Sequence, residues 1–265
     1  MWSLSAFIKT VVFDLDGTLT SFNLDYQTIR VEVRGYLVKM GVPALVLSEN
    51  LSVFAMLRRT EIYLKLIRKP AKVLEKVRGE ALAIAEKYEL EAAMCTSLLP
   101  GAVETLKALR LMNLKIGLFT INSDKSVNCI LHRFKIGDFF DVTVPRNRVK
   151  HVKPHREHLE AVLKALGSPS ESTVVVGDSS ADMCCARKLK AIAVGFDAGI
   201  SARRQLTSKG ANYVITSLTD LPVLVDRINR MQRSLKGVGA IDSKNHEKQT
   251  FLPTQTTKPL RSHTY

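Results

Sequence analysis

The chain has 265 residues, 46% of them hydrophobic and 24% charged, with a net charge of +14. That length allows a sizeable core and one or two domains, and the composition is that of a globular protein. No apolar run approaches the roughly 20 residues that a membrane-spanning helix needs, so no membrane span is expected.

The N-terminal stretch MWSLSAFIKTVVF has neither a basic n-region nor a small-residue cleavage site. It reads as a first strand rather than a signal peptide, and a cytoplasmic protein is expected. Residues 7–13 (FIKTVVF), 115–121 (KIGLFTI), 140–144 (FDVTV), 172–177 (STVVVG), 191–196 (AIAVGF) and 212–215 (NYVI) are short and rich in β-branched residues, so they predict six strands. Most are apolar throughout, as strands covered on both faces are. Helical spacing lies between them. It places Val103, Leu106 and Leu109 on one face over 101–112, and Leu159, Val162, Leu163 and Leu166 on another over 156–167, where Gly167 is a stop signal. The alternation predicts an α/β protein with a Rossmann-like parallel sheet and helices on both faces.

Residues 22–97 break the alternation. Ile29, Val33, Tyr36, Leu37 and Met40 mark one amphipathic helix; Phe54, Leu57, Leu64 and Ile67 a second; Val73, Leu74, Val77, Ala81, Ala85 and Tyr88 a third. Pro43 and Pro70 punctuate them, and LLPG at 98–101 marks the return to the sheet. The expected organisation is a core of residues 1–21 and 98–230, an α-helical insertion at 22–97, and a disordered tail from 231 to 265. Cys95, Cys129, Cys184 and Cys185 form no CxxC pair and are expected as reduced, small buried side chains.

Parallel sheets place their sites just outside the carboxyl ends of the strands. There the sequence puts Asp14 and Asp16, then Thr120 with Asn122 and Ser123, then Lys153, then Asp178 and Asp182. Several carboxylates converging in one crevice repel each other unless a cation compensates them, and a hard divalent ion with oxygen ligands, Mg²⁺, suits the set. A lysine and a hydroxyl beside such an ion suit a phosphoryl group. A carboxylate can then act as nucleophile, and a second one can move a proton.

The four segments FDLDGTLT, GLFTINS, VKPHREHL and VVVGDSSADM resemble, in order and spacing, the motifs of the haloacid dehalogenase-like hydrolase superfamily. The resemblance spans about residues 7–230. The helical insertion resembles the cap of the phosphoglycolate phosphatase-like branch, and 209–222 its closing strand and helix. The resemblance implies Asp14 as nucleophile and Mg²⁺ ligand, and Asp16 as general acid/base with its carbonyl on the metal. It implies that Thr120 and Asn122 bind the phosphoryl group and that Lys153 neutralises it together with Asp14. Asp178 would be a further metal ligand, Asp182 a support behind the metal, and Gly17 the turn after the strand. Motif two departs slightly: Ile121 supplies no polar group where many relatives carry one.

The function implied is a Mg²⁺-dependent phosphatase acting on a small, phosphoglycolate-like phosphomonoester through an aspartyl-phosphate. Asp16 argues against a dehalogenase. A Schiff-base lysine from the insertion (Lys39, Lys65 or Lys69) and a phosphosugar mutase remain alternatives. A third is nucleic-acid binding through the basic surface or the tail residues Lys236, Lys244, Lys248, Lys258 and Arg261. The scattered positive charge fits an anionic partner or simply a solvated basic surface. His151, His155 and His158 are expected at a solvated helix end, with metal binding as the other reading. Arg30, Arg34, Arg58 and Arg59 are candidates for a second anionic group of the substrate, or else a solvated helix face.

Overall fold

The computed structural model describes residues 7–21, 23–197 and 203–247. Six strands, β1 (Thr10–Phe13), β2 (Lys115–Phe119), β3 (Val142–Val144), β4 (Thr173–Gly177), β5 (Ile192–Phe196) and β6 (Tyr213–Ile215), form one sheet. All neighbours are parallel and the order is β3-β2-β1-β4-β5-β6. Each predicted strand is present, trimmed by one to three residues where pairing stops.

The apolar runs divide by alternation. Val11 and Phe13 of β1 pack with Ile116, Leu118, Val174 and Val176 against α4 (Ala102–Leu111), α5 (Asp124–Phe134) and α9 (Asp220–Glu247). Val12, Phe119 and Val175 point the other way, against α6 (Arg156–Leu166), α7 (Ser180–Leu189) and α8 (Arg203–Ser208). A strand buried on both faces needs no polar positions, which is why β1 is apolar up to Phe13.

The insertion is helical, as expected: α1 (Tyr26–Lys39), α2 (Val53–Leu66) and α3 (Ala71–Cys95) enclose their own core of Ile29, Val33, Leu37, Met56, Leu64, Val77 and Ala81. Asp25 caps α1 by accepting from the Gln27 and Thr28 amides, Ser52 caps α2, and Pro70 precedes the first turn of α3. Met40 and Ile67, which periodicity places on apolar faces, are exposed because each is the terminal cap residue of its helix. Only Cys185 of the four cysteines is buried; Cys129 and Cys184 are half-buried, and Cys95, at the end of α3, is exposed.

Helix α9 is the larger departure. It continues to Glu247, past residue 231 where the sequence reads as irregular. Leu221, Val225, Ile228 and Gln232 anchor its first turns in the core, and extending a formed helix costs far less than nucleating one. Residues 248–265, with Lys248, Lys258 and Arg261, lie outside the described residues. Among the described residues no helix is long and apolar enough to cross a membrane.

Two glycines give opposite expectations. A Cβ on Gly117 of β2 would stand 2.7 Å from Val162 and 3.1 Å from Leu166, whereas one on Gly79, exposed on α3, meets nothing within 4 Å. Gly117→Ala lowers unfolding stability by about 1–3 kcal/mol through overpacking. Gly79→Ala raises it by about 0.5–1 kcal/mol. Urea denaturation midpoints of the two variants check both signs.

Candidate active site

The strand ends bring the sequence-predicted residues together. Asp14 follows β1 and is held by its amide donating to Val176 O at 2.9 Å. Thr120 follows β2 and Asp178 follows β4, both adjacent to β1 in the sheet. Chain connections leave β1 toward β2 on one side and return to β4 on the other, so the crevice opens at the switch in strand order. Gly17, at φ +78°, turns the chain away; a Cβ there would collide with the Asp178 carboxylate. Only glycine permits that approach.

Lys153 is the centre of the charge arrangement. It is buried, with Nζ 2.6 Å from Asp14 Oδ1, 2.7 Å from Asp182 Oδ1 and 4.4 Å from the Phe119 ring centroid. Burial alone would lower its pKa, but the Asp14 and Asp182 carboxylates outweigh that and hold it above the ordinary lysine value. Asp182 also accepts from the Ser179 amide and hydroxyl through Oδ2, at 3.1 and 2.5 Å. It therefore caps α7 and fixes Lys153 with the same carboxylate. Gly177 makes this possible, since a Cβ there would collide with Asp182.

Asp16 is bound on both oxygens. Asn122 Nδ2 donates to Oδ2 at 2.6 Å and Thr20 Oγ1 to Oδ1 at 3.0 Å. Burial raises its pKa, and those two hydrogen bonds pull the other way. Thr120 is buried and its Oγ1 accepts from the Asn122 amide at 3.2 Å. The buried Asn122 Oδ1 has no hydrogen-bond partner.

The donor chemistry fits a hard divalent cation. One oxygen each of Asp14, Asp178 and Asp182 lies within 4.8 Å of the others. Three buried carboxylates face a single ammonium, and an oxygen-only set is what Mg²⁺ takes. Burial, and after it the Asp182 charge, raises Asp178 to about 6. Burial dominates at Asp14 as well, with Asp182 and Asp178 adding to the rise against the opposing Lys153. Both rises come first from burial, and the neighbouring carboxylates add to them; a cation would offset both. Asp182 has both oxygens engaged, by Lys153 and Ser179, whereas Asp14 is engaged by Lys153 through Oδ1.

Three features fall outside the site residues that the sequence predicts. His158, expected at a solvated helix end, is fully buried. Its Nδ1 accepts from the Lys153 amide at 3.2 Å, its Nε2 lies 2.9 Å from Val144 O, and its ring meets Phe119 edge-on. Those two contacts make it a neutral Nε2–H tautomer that holds the lysine's backbone. Burial, then Lys153, lowers its pKa to about 4.

The second feature is a buried ion pair joining the insertion to the core. Glu89 of α3 pairs with Arg146, in the turn Arg146–Arg148 after β3, and also accepts from the Ser123 amide at 2.9 Å. Arg146 further donates to Ile121 O and Leu82 O. Glu89 continues the buried stripe Val77, Ala81, Ala85 and Ala93. A charge at the next position of an apolar stripe is the one sequence signal that marks it. The third is Tyr26, the first residue of α1: burial and the nearby Asp16, Asp14 and Glu89 raise its hydroxyl pKa.

A narrow crevice between insertion and core is lined by Asp16, Ser21, Asn23, Glu89, Thr96 and Asn122, among others. The arginines singled out in the insertion do not line it. Arg34 and Arg59 donate to Leu47 O and Val46 O. Lys39, Lys65 and Lys69 are all exposed.

A crevice at the switch point of a parallel sheet is where such sheets bind ligands, and carboxylates beside a buried lysine suit a cation together with an anionic group. The family model for haloacid dehalogenase-like hydrolases matches residues 8–189, a span containing every site residue above. The chain belongs to that family. It is 32% identical over 126 residues to the pyrophosphatase PpaX of Bacillus mycoides (strain KBAB4), 48% of this chain and 59% of the relative. A PpaX from Halalkalibacterium halodurans is 32% identical over 123 residues, 56% of its length. The matched part thus spans a little over half of these curated relatives. Among solved structures, a hydrolase from Pseudomonas syringae aligns over 83% of this chain and 99% of its own, with 27% identity and a TM-score of 0.59. A predicted phosphoglycolate phosphatase from Haemophilus somnus 129pt shares the fold at 20% identity and TM-score 0.55, covering 82% and 97% of the two chains.

The buried groups set two stability expectations. Arg146→Ala leaves the Glu89 charge buried and lowers stability by about 3–5 kcal/mol, whereas Glu89→Leu with Arg146→Met recovers most of the loss. Thermal and urea unfolding of the three proteins checks this. His158 is neutral when folded and ionises near 6.5 when unfolded. Its contribution is complete above pH 6.5 and is lost as pH falls from 6.5 toward 4, by roughly 3 kcal/mol. His158→Gln flattens that part of the stability–pH curve relative to wild type.

Proposed function

We propose that the protein is a phosphatase that hydrolyses a small phosphomonoester through an aspartyl-phosphate at Asp14. The observation that carries this reading is the placement of Asp14 against Lys153, with Asp178 beside it and Asp16 two residues on. The family membership and the phosphatase names of relatives support it.

In this reading an Asp14 oxygen attacks phosphorus as the bond to the leaving oxygen breaks, and Asp16 gives that oxygen its proton. A raised pKa at Asp16 is what an acid working near neutrality needs. Asp16 then takes a proton from water as the water attacks the phosphoryl group, which releases phosphate and restores the Asp14 carboxylate. Thr120 and Lys153 bind the phosphoryl oxygens and balance their charge; Asn122 and Thr20 keep Asp16 aimed. Asp14, Asp178 and the Asp16 carbonyl would hold Mg²⁺, which when bound screens the phosphoryl charge from the attacking carboxylate. The insertion acts as a cap over the crevice and excludes water from the first step.

Phosphoglycolate and pyrophosphate are the first substrates to try. The test is phosphate release from a panel of phosphorylated metabolites, with Mg²⁺ and with EDTA. Metal-dependent release from one compound well above the rest is expected. Asp14→Asn is expected to fall to the uncatalysed background while keeping its melting temperature. Turnover at the wild-type rate in that variant would rule the mechanism out.

A further inference from the structure

The segment that delivers Lys153 carries a second cluster on its outer side. His151 and His155 flank the lysine in sequence but are about half exposed, while Lys153 is buried. Their rings lie 4.6 Å apart between centroids, tilted by 39°. Both turn Nδ1 toward one oxygen of Glu157: His151 at 2.6 Å from Oε2 and His155 at 3.8 Å. These three ligand atoms all fall within 4.8 Å of one another.

Two ligands about 2.0–2.1 Å from a tetrahedral ion are about 3.3 Å apart. The observed 2.6 and 3.8 Å lie on either side of that value, so small side-chain adjustments would bring the set to it. Glu157 is also pre-oriented. Its other oxygen, Oε1, accepts from the Lys150 amide at 3.0 Å, which leaves Oε2 turned toward the imidazoles. A backbone donor holding a carboxylate in this way is the outer-shell support that ligating carboxylates have. His155 Nδ1 accepts from the Glu157 amide at 3.3 Å as the N-cap of α6, so a metal would take this lone pair in exchange for that long hydrogen bond. Neighbouring cations are engaged elsewhere: Lys188 donates to Pro154 O, and Arg156 pairs with Glu160.

We propose that His151, His155 and Glu157 form a second metal site, for a borderline divalent ion such as Zn²⁺, distinct from the acidic site in the crevice. Two imidazoles and one carboxylate select such an ion over Mg²⁺, which takes oxygen donors. Solvent supplies the remaining positions on the open side. An ion here clamps residue 151 to residues 155 and 157, and so braces the segment whose middle residue is Lys153.

The test is Zn²⁺ binding to the full chain by equilibrium dialysis in saturating Mg²⁺, which competes for the oxygen-only site. One Zn²⁺ per chain is expected. Losing a ligand should weaken binding at least as much as losing an outer-shell partner, about 10–100-fold, in both His151→Ala and His155→Ala. Asp178→Asn should keep it. Zn²⁺ should also raise the melting temperature of wild type but not of the double histidine variant; the metal-free variant should melt somewhat below wild type because His155 caps α6 and His151 pairs with Glu157, so the Zn²⁺-induced shift is the readout. Co²⁺ in place of Zn²⁺ should give the visible absorption of a four- or five-coordinate ion, lost in the same variants. Zn²⁺ stoichiometry unchanged in the double variant, or binding abolished by Asp178→Asn alone, would overturn the proposal. No Zn²⁺ bound at all would mean that His151 and Glu157 are an ordinary surface ion pair.

Discussion

The crevice depends on one buried ammonium. Lys153 lies between Asp14 and Asp182, and without it three carboxylates within 4.8 Å would stand in a nearly dry environment with no countercharge in contact among the described residues. Burying a lone charge is prohibitive, but burying a hydrogen-bonded set of opposite charges is not. Much of the surrounding structure keeps this contact in place. His158 holds the lysine's amide, Phe119 lies against its ammonium, and Ser179 fixes the far side of Asp182. Gly17 and Gly177 clear the space that the carboxylates occupy.

The same logic recurs where the helical insertion meets the core. Glu89 and Arg146 are both nearly inaccessible and close on each other beside the N-terminus of α5, where Ser123 contributes a backbone amide. A buried pair adds little net stability compared with a packed apolar pair, but it is unforgiving of misalignment. It therefore sets where α3 sits relative to the strand ends more sharply than apolar contact would. The more exposed contacts between insertion and core, Lys125 with Glu86 and Arg78 with Lys150 O, hold far less firmly in water.

This gives the protein a graded architecture. The sheet is held by apolar strands covered on both faces. The insertion has its own apolar core and meets the rest of the chain through polar contacts and through Ala93, which packs into the core of the sheet. Between them lies a crevice lined with hydroxyl, amide and carboxylate groups. The two cores are therefore not wholly separate, being joined at Ala93 near the end of α3.

The sequence alone determined the sheet and the identity of the groups at its strand ends. Strand runs of β-branched residues and helical spacing are local properties, and Asp14, Asp16, Thr120, Lys153, Asp178 and Asp182 each sit at a fixed offset from such a run. It did not determine who touches whom. That Asp182 serves Lys153 as well as its own helix, that Asn122 holds Asp16 instead of facing open space, and that His158 turns inward while His151 and His155 turn outward all depend on packing between segments far apart in the chain. Glu89 and Arg146 are 57 residues apart and belong to no motif. One is legible only as a charge in an apolar stripe, the other as one basic residue among 39. Helix α9 shows the same limit from the other side: beyond residue 231 local pattern predicts no helix, and the turns anchored on the sheet carry it on. Local pattern specifies elements because backbone geometry repeats over a few residues. Charge pairing and burial are decided only when the folded chain removes water from particular places.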